Sequence, residues 1–376
     1  MSTPDRHAES IAEALDRMHP ELRPLRGAGG DPVYLVGGAV RDLLLGRGRA
    51  DIDLVVQGDA AAFAARLGAE ADFHQRFGTA KVRLDGHELD VAGARSETYA
   101  QPGALPTVRI GARLEDDLAR RDFTINAMAI PLHGDPELID PFGGEADLAT
   151  KQLRVLHPRS FVDDPTRAIR AARYASRFDF ELEPETADLL RRANLNTVSS
   201  DRRDAELRRL AGEATAPRGF ELLAEWSLAQ LRAGGVELAA RVSALLATEP
   251  WSEVAPQDRA LLRAVLGPAG DEESLVAAKP ARPSEGVELA AARDPVELVL
   301  ARALGAEWLD RYLLEWRDVA LEIDGEDLMQ AGVPQGPAVG RGLQSALRRK
   351  LDGEVSGREQ ELAAALEAAR SDDGVA

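Results

Sequence analysis

Residues 34–53, YLVGGAVRDLLLGRGRADID, constrain this chain more than any other stretch. Val33, Leu35 and Val36 make a short apolar, β-prone run that Gly37-Gly38 breaks. Two glycines there let the backbone approach a ligand closely and turn sharply into a helix over residues 39–45. Backbone N–H groups at that helix start, with Arg41 one turn in, form a cradle for a triphosphate. Asp51-Ile52-Asp53 then lies on an extended segment, where alternation puts both carboxylates on one face and Ile52 on the other. Two hard oxygen ligands side by side suit Mg²⁺, which takes one or two carboxylates together with substrate phosphates. In isolation, a Gly-Gly pair is equally a tight turn, and an Asp-x-Asp pair equally a solvated strand end.

Order and spacing shift that balance. GGAVRD followed shortly by DID on the next strand resembles the signature of the polymerase-β-like nucleotidyltransferases, specifically the bacterial-type (class II) tRNA nucleotidyltransferase and poly(A) polymerase family. A second run, DLARRDFTINAMAI at 117–130, resembles that family's second motif nearly residue for residue. There Arg120 and Arg121 can contact triphosphate oxygens, Asp122 can orient an arginine, and Asn126 can hydrogen-bond nucleotide or backbone. Residues 138–148, LIDPFGGEADL, resemble the third motif, a turn on which the head pivots; without the resemblance they are only a Gly-Gly turn.

DDPTRAIRAARY at 163–174 resembles the fourth motif, in which an acidic pair precedes an arginine by three. The usual first acid is glutamate and here it is Asp163; the pair Asp164 and Arg167 is intact. The resemblance implies that this pair reads the base. Arg167, Arg170, Arg173 and Arg177 follow at helical spacing on one face, which by itself is an ordinary basic helix surface. SSDRRDAELRRL at 199–210 matches the fifth region loosely, with Arg202, Arg203 and Glu206 expected to brace neighbouring helices.

Between these motifs, residues 60–67 read as a helix, and 81–84 with 88–92 alternate across Asp85-Gly86 as a hairpin. Asp90 lies in its second strand and, with Arg95, fits the family's acid-then-arginine pattern, which would make Asp90 a third carboxylate. On spacing alone it is equally an edge-strand charge. Residues 99–109, YAQPGALPTVR, carry two prolines and read as a loop. Its family counterpart is linked to the switch from adding C to adding A, and its ordinary length here favours an enzyme able to add A.

Composition sets the outer bounds. The 376 residues include no cysteine, which rules out disulfides, zinc-thiolate sites and thiol nucleophiles. No long apolar run appears, so no signal peptide or membrane span is expected, and the protein is expected to be cytoplasmic. A net charge of −18 argues against a generally sticky nucleic-acid coat. Residues 151–210 nonetheless carry 13 Lys/Arg against 10 Asp/Glu, a local patch for RNA. All six histidines lie at or before His157, so the C-terminal part cannot carry a His-Asp metal phosphohydrolase domain.

The expected fold is α+β: a small mixed sheet backed by helices in a polymerase-β-like head (28–155), after an N-terminal helix (1–27). An all-α neck (156–215) and an all-α body and tail (216–376) follow. In the body, helices are expected at 234–247, 256–266, 287–303 and 306–317, with 267–286 a loop. A tail cluster of Arg341, Arg348, Arg349 and Lys350 is expected to add basic surface, beside a Gly-rich helix start at Gly336 and Gly340.

The resemblance implies template-independent addition of CCA to the 3′ end of tRNA from CTP and ATP, with Mg²⁺ as cofactor and release of pyrophosphate. It assigns catalysis to Asp51, Asp53 and Asp90, and metal binding to Asp51 and Asp53. It assigns nucleotide binding to Gly37, Gly38, Arg41, Arg121, Asn126, Asp164, Arg167, Arg170 and Arg173. Contacts with the tRNA 3′ end and acceptor/T arm fall to neck and tail, and no membrane or protein partner is implied. Poly(A) polymerase, CC-adding and A-adding enzymes use the same motifs and remain open. A sugar-nucleotide transferase would lack RRDFTINAMA, and an RNA-binding pseudoenzyme would not keep every metal and phosphate position.

Overall fold

The computed structural model describes residues 10–370 apart from 28–29, 49–50, 68–69, 75–77, 85, 269 and 271. Asp85 of the expected hairpin turn thus lies outside the described residues. The chain forms two compact units, residues up to 215 with 221–229, and 216–220 with 230 onward.

The first unit opens on α1 (Ile11–Met18), begun by a Ser10–Glu13 capping box. Six strands form a mixed sheet: β1 (Val33–Val36), β2 (Ile52–Val56), β3 (Glu70–His74), β4 (Thr79–Leu84), β5 (His87–Gly93) and, later in the chain, β8 (Ala129–Pro131). Their order is β3-β4-β5-β2-β1-β8. Only β2 and β5 run parallel; the other neighbours are antiparallel. The parallel pair needs a crossover, and α3 (Ala60–Arg66), capped by Asp59, lies within it. The two strands of the remaining hairpin, β6 (Arg95–Thr98) and β7 (Thr107–Ile110), flank residues 99–106 as their loop.

Short helices then cover the sheet: α2 (Gly38–Leu44) from the glycine turn, and α4 (Leu114–Ala119). Leu114 and Leu118, one turn apart on α4, pack with Tyr34, Val36, Val55 and Ala129 in the core. Beyond α5 (Gly144–Ala149) and a two-residue β9 (Gln152–Leu153) comes a broken helix of two pieces. Here α6 (Ser160–Asp163) ends one residue before Asp164-Pro165, and α7 (Thr166–Phe178) begins after it. Asp163 therefore closes one helix rather than opening the next, and pairs with Arg159 at 2.7 Å. β10 (Glu181–Leu182) pairs with β9, and α8 (Pro184–Leu190) and α9 (Ser200–Ala211) complete the unit, α9 lying against α7.

A further helix, α10 (Ala216–Glu225), spans the division between the units. The second unit continues through α11 (Gly235–Leu246), α12 (Gln257–Leu266), α13 (Glu272–Ala277), α14 (Pro283–Ala290), α15 (Pro295–Leu304) and α16 (Trp308–Arg311), the last running on as a π-helical turn Tyr312–Trp316. Three differences from the sequence reading stand out. The expected loop at 267–286 contains α13 and the start of α14. The expected helix at 287–303 is two helices, because Asp294 caps α15 with Pro295 in its first turn. The tail of α17 (Gly325–Gln330), α18 (Pro337–Leu351) and α19 (Arg358–Arg370) does not leave its cations loose. Arg348 pairs with Glu288, Arg349 with Glu367 and Lys350 with Glu361.

Candidate active site

A cleft of about 810 Å³ opens in the first unit, and all twelve residues singled out in the sequence line it. Strand register supplies its acidic wall. On the parallel pair, Ile52 lies opposite Leu89 and Asp53 opposite Asp90. Leu89 and Val91 are buried on one face of β5, while Asp90 stands exposed on the other. Asp90 also lies 3.9 Å from Lys81 on β4. Asp51, just before β2, is exposed. Burial raises the Asp53 carboxyl above its usual range; Arg121 opposes this, and the charges of Asp90 and Asp51 add to it. Such a carboxylate gains from a cation beside it. Among the described residues no three acidic or imidazole groups cage an ion by themselves. The all-oxygen set fits a hard divalent cation whose remaining ligands come from substrate phosphates.

The glycine turn lies beside Asp53. Gly37 has φ 70°, and a Cβ there would come within 2.7 Å of Arg121 Nη1 and 3.6 Å of Asp53 Oδ2. The positive φ is what calls for glycine here, and the missing Cβ leaves the space that the Arg121 guanidinium occupies. Arg41, expected to contact phosphate, lines the cleft from a buried position. Its side chain is buried, donating to Asp42 at 2.8 Å and to Asn126 Oδ1 at 2.6 Å, with its guanidinium 4.5 Å from the Phe178 ring centroid.

Two buried carboxylates hold the RRDFTIN segment. Asp117 is fully buried and accepts from Arg120 at 2.8 Å, from Arg121 at 3.1 Å and from the Arg95 backbone at 3.2 Å. Burial alone would raise its carboxyl, but Arg121 and Arg120 outweigh that and hold it below the usual range. Asp122 accepts from the Phe123 backbone at 2.9 Å and from Asn126 Nδ2 at 3.0 Å, and pairs with Arg170 at 2.6 Å. Burial opposes ionisation here too, and Arg170 overcomes it. Around these anions, Arg95 is pushed down by burial and by neighbouring Arg120. Buried Nε atoms of Arg95, Arg121, Arg170 and Arg173 make no protein hydrogen bond among the described residues. Crowded guanidinium groups with unused donors are what a polyphosphate satisfies.

At the far end, Arg167 donates to Ser160 Oγ and to the Arg120 carbonyl, each at 2.6 Å. Three of its five N–H donors remain. Asp164 receives three donors, all on Oδ1: the Thr166 backbone at 3.0 Å, Thr166 Oγ1 at 2.6 Å and Arg202 at 2.9 Å. Arg173 and Arg177 share Glu213, each at 3.5 Å.

Sequence reasoning did not single out Glu97, Tyr99, Lys81 or Asp117 for this site. Glu97 pairs with Arg120 at 2.9 Å and accepts from the Tyr99 hydroxyl at 3.1 Å. Burial, then Glu97, push that phenol up to about 12, so it stays a donor. The Asp117-x-x-Arg-Arg spacing was a usable signal, since i+3 and i+4 on one helix face meet. Glu97, Tyr99 and Lys81 carried none.

The poly(A) polymerase head-domain family matches residues 33–154. An A-adding tRNA nucleotidyltransferase of Halalkalibacterium halodurans is 45% identical over 204 residues, covering 51% of this chain and 48% of that protein. The chain thus spans about half the length of that relative. A CC-adding tRNA nucleotidyltransferase of Deinococcus radiodurans is 35% identical over 351 residues, covering 89% of each. A solved structure of the Thermotoga maritima CCA-adding enzyme with tRNA superposes with a TM-score of 0.73 at 30% identity, covering 95% of this chain and 97% of that one.

Proposed function

Because the chain belongs to the tRNA nucleotidyltransferase and poly(A) polymerase family, we propose that it adds CCA to the 3′ end of tRNA from CTP and ATP without a nucleic-acid template. The observation that carries this reading is one cleft holding a carboxylate pair in register, Asp53 and Asp90, and an acid–arginine pair of complementary hydrogen-bonding sense, Asp164 and Arg167. On this reading 28–155 is the catalytic head, 156–215 the neck, and 216–376 the tRNA-binding body and tail, after the N-terminal segment 1–27.

Asp51 and Asp53 would hold Mg²⁺, with Asp90 beside them. When bound, the ion neutralises triphosphate oxygens and makes the primer hydroxyl more acidic. The chain's own residues align the reactants, which is most of the work in phosphoryl transfer. Gly37 and Gly38 let the triphosphate approach the backbone, and Arg121, anchored on Asp117, faces its oxygens. Asp90 accepts the proton of the attacking 3′-hydroxyl. The 3′-oxygen bonds to the α-phosphorus as the bond to the bridging oxygen breaks, and pyrophosphate leaves. Arg41 acts through Asn126, holding the RRDFTIN segment rather than phosphate.

Cytosine and adenine both present an amino donor beside a ring-nitrogen acceptor, and uracil and guanine present the reverse. Asp164 only accepts and Arg167 only donates, so the wrong bases would leave buried groups unpaired, which discriminates strongly. Arg170 and Arg173 lie further along the same face.

The names of two relatives favour a second reading, a split activity that adds only CC or only A. Incubation with tRNAs ending before the first C, after CC and after CCA, each with single NTPs, separates these. Two CTP additions followed by one ATP addition are expected. ATP added only to the CC end, or CTP alone, would replace CCA addition by the split reading, and repeated ATP addition by poly(A) synthesis. Asp51→Ala and Asp53→Ala should each lower incorporation by several orders of magnitude while tRNA affinity stays near wild type, because affinity for RNA rests on phosphate contacts. Normal extension by the double variant would overturn the metal assignment.

A further inference from the structure

We propose that Arg202 is a positioning residue for base selection: it holds the Asp164 carboxylate in one orientation, with its unengaged oxygen directed into the cleft, and so sets the strength of cytosine and adenine discrimination. The inference rests on the reading of Asp164 as the acceptor for the base amino group. Arg202 sits on α9, 38 residues from Asp164 in sequence, and uses its two terminal nitrogens on two different elements. Nη2 donates to Asp164 Oδ1 at 2.9 Å and Nη1 to the Gly103 carbonyl at 2.9 Å. The fork therefore ties the β6–β7 loop to the junction between α6 and α7. The pair is mostly buried, with 14% of the Asp164 side chain and 24% of the Arg202 side chain exposed.

The asymmetry at Asp164 gives this contact a functional consequence. Thr166 N, Thr166 Oγ1 and Arg202 Nη2 all converge on Oδ1, and none reaches Oδ2. A carboxylate with one loaded oxygen cannot swing about its Cβ–Cγ bond without loosening three hydrogen bonds at once. Oδ2 is then presented in one direction as the acceptor for an incoming amino group. Loss of Arg202 leaves Oδ1 held only by its own chain neighbour two residues on. The carboxylate can then swing, and a carbonyl-bearing base meets a less fixed acceptor. Gly103 allows close approach at the other end: a Cβ there would lie 2.4 Å from the Thr197 carbonyl oxygen.

The test is single-turnover incorporation of all four NTPs by wild type, Arg202→Ala, Thr166→Val, Asp164→Ala and the Arg202→Ala/Asp164→Ala double variant. Thermal unfolding of each is followed in parallel. Arg203→Ala, on the same helix and paired with Asp204, is the control for a general effect on α9. Arg202→Ala should reduce preference for CTP over UTP, and for ATP over GTP, by about ten- to a hundredfold, the worth of one charge-assisted hydrogen bond. Thr166→Val, which keeps side-chain volume, should change preference in the same direction and serves if Arg202→Ala does not fold. The double variant should discriminate no worse than Asp164→Ala alone, since both act on one group. Preference within twofold of wild type in Arg202→Ala and Thr166→Val, with Asp164→Ala impaired, would overturn the role of Arg202 and leave the base-reading role standing. Unchanged preference in Asp164→Ala would overturn that role itself, and this inference with it.

Discussion

At Gly37 a single hydrogen atom stands where any other residue would place a carbon against Arg121. The position combines φ 70° with ψ −132°, a conformation other residues adopt only under strain. Gly37→Ala should cost about 1–3 kcal/mol of stability from that strain. On the proposed reading it should also slow incorporation about a hundredfold, because displacing Arg121 would misalign the triphosphate. Thermal unfolding beside single-turnover kinetics separates the two effects. An alanine variant with wild-type rate would reduce Gly37 to a turn former. The same scale explains what the sequence made legible. Residues in contiguous runs, such as Gly37, Asp53, Arg121 and Asp164, announce themselves by spacing. Counter-ions distant in sequence do not: Glu97 meets Arg120 across 23 positions and Arg202 meets Asp164 across 38. Only folding brings such partners together, so no local pattern records them.

Among elements, α7 matters most, because it carries the arginine face and is pinned to the RRDFTIN segment by Arg170 on Asp122. Asp122→Asn leaves Arg170 without its anion. The expected loss is about 3 kcal/mol, at the low end for a broken buried pair, because Arg170 keeps 32% of its side chain in solvent. The pH dependence has a definite sign. The Asp122 carboxyl is held below its ordinary value of 3.8. Its contribution is therefore complete above pH 3.8 and is lost as pH falls through the lowered folded value. Denaturant titrations at pH 7 and from pH 4 downward should show the wild type approaching Asp122→Asn as acidity rises. A constant gap would mean that another group governs the acid limb. The helices that the sequence hid have an equally physical origin. Pro283 and Pro295 sit in first turns, where a missing N–H is harmless. A residue that breaks a helix interior here begins one, so a Pro-rich stretch conceals α14 and divides 287–303.

Over the whole molecule, a net charge of −18 coexists with arginines that mostly have carboxylate partners, in the neck as in the tail. Binding of tRNA should weaken with salt, since each phosphate contact releases counterions. The slope should be shallow, because an arginine already on a carboxylate exchanges one anion for another. Fluorescence anisotropy between roughly 50 and 200 mM salt measures it, and a salt-insensitive Kd would argue against RNA as substrate. The six-stranded sheet has a further consequence. On β2 and β5 one alternation both buries Ile52, Leu54, Leu89 and Val91 and aligns Asp53 with Asp90. A slip of one residue would turn the apolar set outward together with misplacing the carboxylates. Correct assembly of the carboxylate pair is thus proofread by the same contacts that keep the domain folded. A chain that joins its strands out of frame becomes a substrate for cellular proteases, not a stable but silent competitor for tRNA.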